Sequence, residues 1–199
     1  RIGGYPVGVI CGNPSHLGGA LDAKSCDKQV RFMAFCDTFH LPIVTLIDNG
    51  GFMLGPDAER SGINRAALRS MMAVQYIDVP IVAIYMRKAY GLGVISQYND
   101  KLGLRLAWPT AESGAMPAEG EVDALFAREI AEAEDPVAYR QMAIDRLHAL
   151  KSPWKKAESF ELSDVIHPAE TREYIGRFIA ASWHRIAGRL GPPRRWPIV

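Results

Sequence analysis

Three short apolar runs constrain the fold most. Residues 6–11 contain Val7-Gly8-Val9-Ile10, and Pro42 and Pro80 open the runs Ile43-Val44-Thr45-Leu46-Ile47 and Ile81 to Met86. Each has the length of a strand and is rich in β-branched residues. A strand that is apolar along its whole length is buried on both faces; a strand with one wet face would alternate. Between the first two runs, residues 22–39 have helical spacing, with Val30, Met33, Ala34 and Asp37 on one largely apolar face. Asp22 suits the N-cap, because a short carboxylate accepts the free amide protons of a first turn. The second run ends at Asp48, and a helix is expected over about 62–77. Strand, helix, strand, helix, strand predicts an α/β fold around a largely parallel sheet.

Downstream, the pattern predicts a strand at Leu104–Trp108, helices near 118–133 and 136–149, a break at Pro153-Trp154 and a last helix over about 169–190. The tail from Gly191 to Pro197 cannot prolong it, because proline lacks the amide donor. There is no internal repeat and no low-complexity linker. With 199 residues, 48% of them apolar, the chain reads as one domain spanning 1–199. It opens on Arg1, almost directly into a strand, so a part of a larger subunit is expected.

No apolar run approaches the roughly 20 residues of a membrane span, and no secretory signal is present, so no membrane partner is expected. The net charge of +1 gives no broad footprint for nucleic acid. The basic groups Lys151, Lys155, Lys156 and Arg194, Arg195 are expected to be solvated surface. Cys11, Cys26 and Cys36 are odd in number, lack C-x-x-C spacing and fit a reducing compartment. The five histidines show no ligand grouping, so no metal site is expected.

Common catalytic motifs fail. Gly91-Leu92-Gly93-Val94-Ile95-Ser96 lacks the third glycine of a dinucleotide loop, and neither a P-loop nor a G-x-S-x-G elbow occurs. The loop carboxylates Asp48, Glu59, Glu112 and Glu119 are expected to be solvated or to cap helices. What remains is glycine at three strand ends: Gly18-Gly19, Gly50-Gly51 and Gly91-Leu92-Gly93. Ligands of open α/β sheets bind beyond the carboxyl ends of the strands. Absent side chains let backbone amides approach a ligand, and a helix start there favours negative charge. That describes an oxyanion hole. It equally describes three tight turns, and the residues alone leave both readings open.

The order of several segments is more specific. Gly8-Val9-Ile10, Gly18-Gly19-Ala20-Leu21-Asp22, Asp27-Lys28, Arg31-Phe32, Phe35-Cys36-Asp37 and Ile43 through Asp48 are followed by Gly51-Phe52, Gly55, Glu59 and Arg87-Lys88-Ala89-Tyr90-Gly91. Then come Ala107-Trp108-Pro109-Thr110-Ala111-Glu112, Ala118-Glu119-Gly120, Asp164-Val165-Ile166-His167-Pro168 and Glu170-Thr171-Arg172. In this order the chain resembles the C-terminal half of the carboxyltransferase (β) subunits of biotin-dependent acyl-CoA carboxylases, of the propionyl-CoA carboxylase β kind.

The resemblance implies a crotonase-like (ClpP/crotonase) fold and a missing N-terminal half that mainly holds CoA, while this half mainly receives carboxybiotin. It implies an enzyme, a ligase-type carboxyltransferase, that moves a carboxyl group from N1′-carboxybiotin to the α-carbon of an acyl-CoA. The biotin itself rides on a separate carrier domain. In that scheme the biotin enolate takes the α-proton, so no side-chain base is needed. The backbone amides of Leu92 and Gly93 map to the biotin-side oxyanion hole. Gly91 shapes the approach, Gly50, Gly51 and Phe52 form a neighbouring biotin-binding loop after Asp48, and Ile95 falls where acyl selectivity varies. Implied partners are the N-terminal half, a biotin carboxylase, a biotin carrier subunit and further copies in a dimer-based hexamer. The implied compartment is the cytoplasm, or the mitochondrial matrix in a eukaryote.

Three departures from the family pattern cluster near this site. The family has Asp-x-Pro-Gly-Phe where Asp48-Asn49-Gly50-Gly51-Phe52 stands, Tyr-Gly-Gly-Ala where Tyr90-Gly91-Leu92-Gly93 stands, and Met-Gly-Ala-Glu-Gly where Met116-Pro117-Ala118-Glu119-Gly120 stands. The alternative is a biotin-independent crotonase-fold acyl-CoA decarboxylase or hydratase. A hydratase needs two carboxylates converging on one water. Glu112 and Glu119 are the nearby pair, and their spacing across Pro117 does not assure convergence. A third reading is a non-catalytic assembly half. The apolar loop residues Phe52, Met53, Leu54, Leu92 and Val94 predict an association surface.

Overall fold

The computed structural model describes residues 1–99, 103–192 and 196. Among them, β1 (Gly8–Cys11), β2 (Ile43–Asn49), β3 (Ile81–Tyr90), β4 (Gly103–Ala107), β5 (Glu112–Gly114) and β6 (Asp164–Val165) form one sheet. The order is β1-β2-β3-β4-β6, and every pairing is parallel. Gly8 lies beside Ile43, Ile43 beside Ile81, and Ile81 beside Gly103. The long central strand β3 takes β4 along Ile81–Tyr85 and β5 along Lys88–Tyr90.

The apolar runs of β2 and β3 are buried on both faces, as their composition requires; β1 is not, because it is the edge strand, and there Val9 is 47% exposed and Cys11 is also exposed. One face, with Ile43 and Ile81, packs against Met33 and Cys36 of α1 (Ala23–Thr38) and Val74 of α3 (Ile63–Tyr76). On the other, Val44, Val82, Ile84 and Leu106 meet Ile175 and Ile179 of α9 (Thr171–Ala187). A smaller layer comprises α5 (Ala118–Leu125), α6 (Ala127–Glu132) and α7 (Pro136–Lys151), followed by α8 (Pro153–Glu158). It carries its own core of Ala118, Val122, Ala143 and Ile144.

Asp22 caps α1 as expected, accepting from the Ser25 amide at 2.7 Å. Asp37, placed on the apolar face by its spacing, is a buried carboxylate. It accepts from the amides of Asp78 and Val79 and from the Trp196 indole, so its polarity is satisfied inside the core.

Several boundaries differ from the sequence reading. The helix expected over 62–77 is preceded by a separate α2 (Pro56–Arg60). The break falls at Gly62, whose φ of +80° no helix accommodates. The helix expected near 118–133 divides at Phe126. The third strand runs four residues beyond Met86, through charged residues, because Asp48 accepts from the Lys88 amide at 3.3 Å and pairs with Arg87 at 3.0 Å. Lys151, expected in solvent, is 5% exposed and paired with Glu121 at 2.7 Å. Lys156 is half-buried and paired with Glu161, while Lys155 stays on the surface. Arg194 and Arg195 lie outside the described residues.

Candidate functional site: three glycine turns meet at one end of the sheet

The three glycine-bearing strand ends come together. The turn after β1 holds Gly18 (φ +62°) and Gly19 (φ +86°), the turn after β2 holds Gly51 (φ +107°), and β3 is followed directly by Gly91 (φ +62°). The first two turns pair through the Leu21 amide to the Gly51 carbonyl and the Met53 amide to the Leu21 carbonyl, both at 2.9 Å. The second and third turns touch through glycine: a Cβ added to Gly93 would lie 3.0 Å from Gly51 Cα and 2.9 Å from Asn49 Nδ2. A Cβ on Gly19 would lie 2.5 Å from the Asp48 carbonyl oxygen. These glycines are required by close approach of backbone to backbone, which no other residue permits. Lys88 Nζ donates to the Gly18 carbonyl at 2.7 Å and ties β3 to the first turn.

Gly91 opens a five-residue helix, α4 (Gly91–Ile95), with Tyr90 as its N-cap. The amides of Gly91, Leu92 and Gly93 are first-turn amides, which have no acceptor upstream within their own helix. Gly93 is buried, whereas the Leu92 side chain is 57% exposed and directed away from the packed turn. Gly50 is exposed, and a Cβ added to it would have no neighbour closer than 3.7 Å, so the loop adopts its course without the proline the family pattern carries. Phe52 is half-buried and packs with Leu21 against the Cys26–Ile63 cluster, so its ring supports the loop from behind. Ile95 lines a cavity of about 280 Å³ with Gly91, Val94, Ala89 and Tyr98, with Arg105 and Lys156 also on its wall. Pro117 stands at the N-cap of α5 with φ −53°, a value suited to proline.

Asp48 is not a solvated loop carboxylate: it is 6% exposed and clamps Arg87 and the Lys88 amide. Glu112 and Glu119 do converge, but on an imidazole. His148 Nδ1 lies 3.3 Å from Glu112 and its Nε2 lies 3.7 Å from Glu119. Burial and the hydrogen bond to Glu112 push the Tyr90 phenol well above its ordinary range, so it remains a neutral donor. Three residues on from His148 along α7, and therefore on the same face, Lys151 meets Glu121 and the Met116 carbonyl and lies 5.7 Å from the Tyr90 ring. Its passage needs Gly114, where a methyl group would press on the lysine stem at 3.1 Å. Neither His148 nor Lys151 is a candidate from sequence; only their spacing beside three glutamates hints at it.

Of the apolar loop residues, Leu54 (84%) and Leu92 are exposed, whereas Phe52 and Met53 are half-buried and Val94 is buried. Cys26 and Cys36 are free, with burial pushing both thiols up to about 12, which keeps them un-ionised and unreactive. Among the described residues no helix is long and apolar enough to cross a membrane.

Comparison with known proteins gives a consistent result. The family described as the carboxyl transferase domain matches residues 1–195. The methylmalonyl-CoA carboxyltransferase 12S subunit of Propionibacterium freudenreichii subsp. shermanii is 38% identical over 178 residues, covering 88% of this chain and 34% of that protein. The biotin-dependent acetyl-/propionyl-coenzyme A carboxylase beta5 subunit of Mycobacterium tuberculosis is 35% identical over 206 residues, covering 98% and 36%. The transcarboxylase 12S crystal structure, a hexamer with methylmalonyl-coenzyme A and methylmalonic acid bound, superposes with a TM-score of 0.89 at 34% identity. That match covers 98% of this chain and 38% of the other. The parallel α/β architecture is thus crotonase-like. The chain spans about a third of the length of these relatives.

Proposed function

The chain belongs to the carboxyl transferase family, and from that membership we propose that it is the C-terminal half of the carboxyltransferase component of a biotin-dependent acyl-CoA carboxylase. The observation that carries this reading is the family match across residues 1–195. The meeting of three glycine turns at one sheet end supports it. The domain is the whole of 1–199, working against an N-terminal half that holds the acyl-CoA. A biotin carboxylase and a biotin carrier supply the other partners. The assembly is a dimer-based hexamer, and the compartment is the cytoplasm or the mitochondrial matrix.

Carboxybiotin, when bound, would supply the N1′ carboxyl group to be transferred and leave as biotin. The chain's own part is electrostatic and steric. The amides of Leu92 and Gly93 form the oxyanion hole on the biotin side, where fixed donors stabilise developing negative charge without reorganising. Gly91 holds the left-handed turn that starts α4 and aims those amides. Gly50 and Gly51, backed by Phe52, give a side-chain-free wall beside it. Ile95, on the cavity behind the turn, sets an apolar limit on the acyl group. These residues suit a ligand that presents an incipient oxyanion. No base is taken from this half: Glu112 and Glu119 are engaged with His148, which disfavours a hydratase that activates water between two carboxylates.

The test is carboxylation of a panel of acyl-CoAs with ATP and bicarbonate by the full subunit assembled with its biotin-loading partners. Avidin should abolish turnover. Avidin-resistant hydration or decarboxylation would overturn the reading in favour of a biotin-independent enzyme.

A further inference from the structure

Behind the glycine turns, three carboxamides form a head-to-tail chain in the core. The Gly51 amide donates to Asn49 Oδ1 at 2.7 Å. Asn49 Nδ2 donates to Gln97 Oε1 at 3.3 Å, and Gln97 Nε2 donates to Gln29 Oε1 at 3.2 Å. Gln29 Nε2 donates to the Ser96 carbonyl at 2.8 Å and to Ser70 Oγ at 2.7 Å. Ser96 Oγ then donates to the Gly93 carbonyl at 2.7 Å. All seven residues are buried, and none of the five side chains belongs to a residue more than 5% exposed.

The direction of the chain is fixed at both ends. The Gly51 amide can only donate, so Asn49 must turn its oxygen to it. The Ser96 carbonyl can only accept, so Gln29 must turn its nitrogen to it. Gln97 has one orientation that satisfies both neighbours. A buried polar chain with every member satisfied is rigid, whereas one broken link leaves unpaired groups away from water. The two ends are the backbone of the two turns that form the proposed site, and Gly93 already rests against Gly51.

We infer that Gln29, on α1 and outside the site, is a positioning residue that couples the Gly51 turn to the Gly93 turn through this amide chain. The inference rests on the carboxyltransferase reading for its effect on rate, but not for the coupling itself. Gln29 suits the task because it must accept from Gln97 and donate to Ser96 at once. An apolar side chain does neither, and a carboxylate only accepts.

The experiment compares Gln29→Met and Ser96→Ala with the unaltered full subunit in its assembled complex, by amide hydrogen exchange and by carboxyl transfer. Gln29→Met should speed exchange at Gly51 and at Ser96–Gln97, whose amides close α4 onto the Leu92 and Val94 carbonyls, by about tenfold, the equivalent of one lost hydrogen bond, relative to Val44–Leu46 in the middle of the sheet. Transfer kcat should fall by about tenfold while acyl-CoA KM changes little. Ser96→Ala keeps Gln29 on the Ser96 carbonyl and on Ser70 Oγ; it removes the last link to the Gly93 carbonyl together with the longer bond, 3.1 Å, that Ser96 Oγ accepts from Gln29 Nε2. It should speed exchange at the Gln97 amide, which closes α4 onto the Val94 carbonyl, and leave Gly51 protected. A residue that merely supports the core would speed exchange everywhere, and that outcome overturns the coupling. So does wild-type exchange at Gly51 in Gln29→Met. If Gln29→Met does not fold, wild-type exchange at Gln97 in Ser96→Ala overturns it instead. Should the unaltered complex show no avidin-sensitive transfer, the carboxyltransferase reading fails while the exchange data still decide the coupling.

Discussion

Two regions flank Tyr90 and are built on opposite principles. On one side the glycine turns meet through neutral backbone: hydrogen bonds among amides, approaches that exclude a methyl group, and no ionised side chain in the contact between Gly51 and Gly93. On the other, Glu112, Glu119 and Glu121 interlock with His148 and Lys151 of α7. The first region presents donors, and in the role we propose for it a charge there would compete with a developing oxyanion. The second fastens a helical layer onto β5, and ion pairs serve there because the residues that must be joined lie on separate elements. Replacing backbone contacts should therefore act on the reaction, and replacing charges should act on stability.

The largest expected effect comes from Leu92→Pro. Position 92 lies in the first turn of α4, where proline is tolerated, and its side chain is exposed, so the substitution removes the N–H with little steric cost. Loss of one oxyanion donor costs on the order of 100- to 1000-fold in rate, about 3–4 kcal/mol. Transfer by the assembled enzyme should drop by that factor with the melting temperature nearly unchanged. A rate within about threefold of wild type would remove Leu92 from the hole.

Gly93→Ala should come next. A methyl group there meets Asn49 and the Gly51 backbone at 2.9 and 3.0 Å. Overpacking of this kind costs about 1–3 kcal/mol. Gly50→Ala, one turn away with open surroundings, should stay within about 0.5 kcal/mol. Denaturant unfolding of both variants checks the contrast, and equal losses would mean that the turns are not in contact.

On the charged side, Lys151→Met strands Glu121 and the Met116 carbonyl. Breaking a fully buried pair costs about 3–5 kcal/mol. The Glu121 side chain keeps 21% of its exposure, so water offsets part of that, and about 2 kcal/mol is expected. Adding Glu121→Leu should restore most of the stability, since removing both partners of a pair is often neutral. Failure of the double substitution to recover would show that the Met116 carbonyl, not the ion pair, is the important partner.

How far these regions can be read from sequence differs for a physical reason. The buried strands, the Asp22 cap and the glycine positions announce themselves through local composition and spacing. The convergence of the three turns depends on contacts between residues about 30–70 apart in sequence, so the residues alone could not separate an oxyanion hole from three unrelated turns. Gln29 and Gln97 look like ordinary polar positions, and only the packed helix reveals the amide chain. The end of β3 is hidden because Arg87 and Lys88 interrupt the apolar run; their partners, Asp48 and the Gly18 carbonyl, come from other segments. Strands β5 and β6, three and two residues long, carry too little pattern to register.

The smallest effect separates two aspartates whose carboxyl groups are both held below their ordinary value. Asp22, at the mouth of the first glycine turn, is lowered first by the Ser25 hydroxyl and then by the Ser25 amide. Asp123 is lowered first by its hydrogen bond to Arg140 on the helical layer. In both, the fold favours the ionised form, so the stabilisation is present above the unfolded value near 3.8 and is lost as pH falls through the lower folded value. Burial decides how much survives. Asp22 is half-buried and satisfies an otherwise free amide of α1, so Asp22→Ala should cost about 1 kcal/mol at neutral pH. That gap should close as the pH is lowered below 3.8. The Asp123–Arg140 pair lies in solvent, where salt and water screen it, so Asp123→Ala should leave the unfolding midpoint unmoved at physiological ionic strength. Unfolding of both variants across an acid pH series, at low and at physiological salt, measures the difference. A gap for Asp22→Ala that persists undiminished in acid would assign the cap's contribution to side-chain shape and not to its charge.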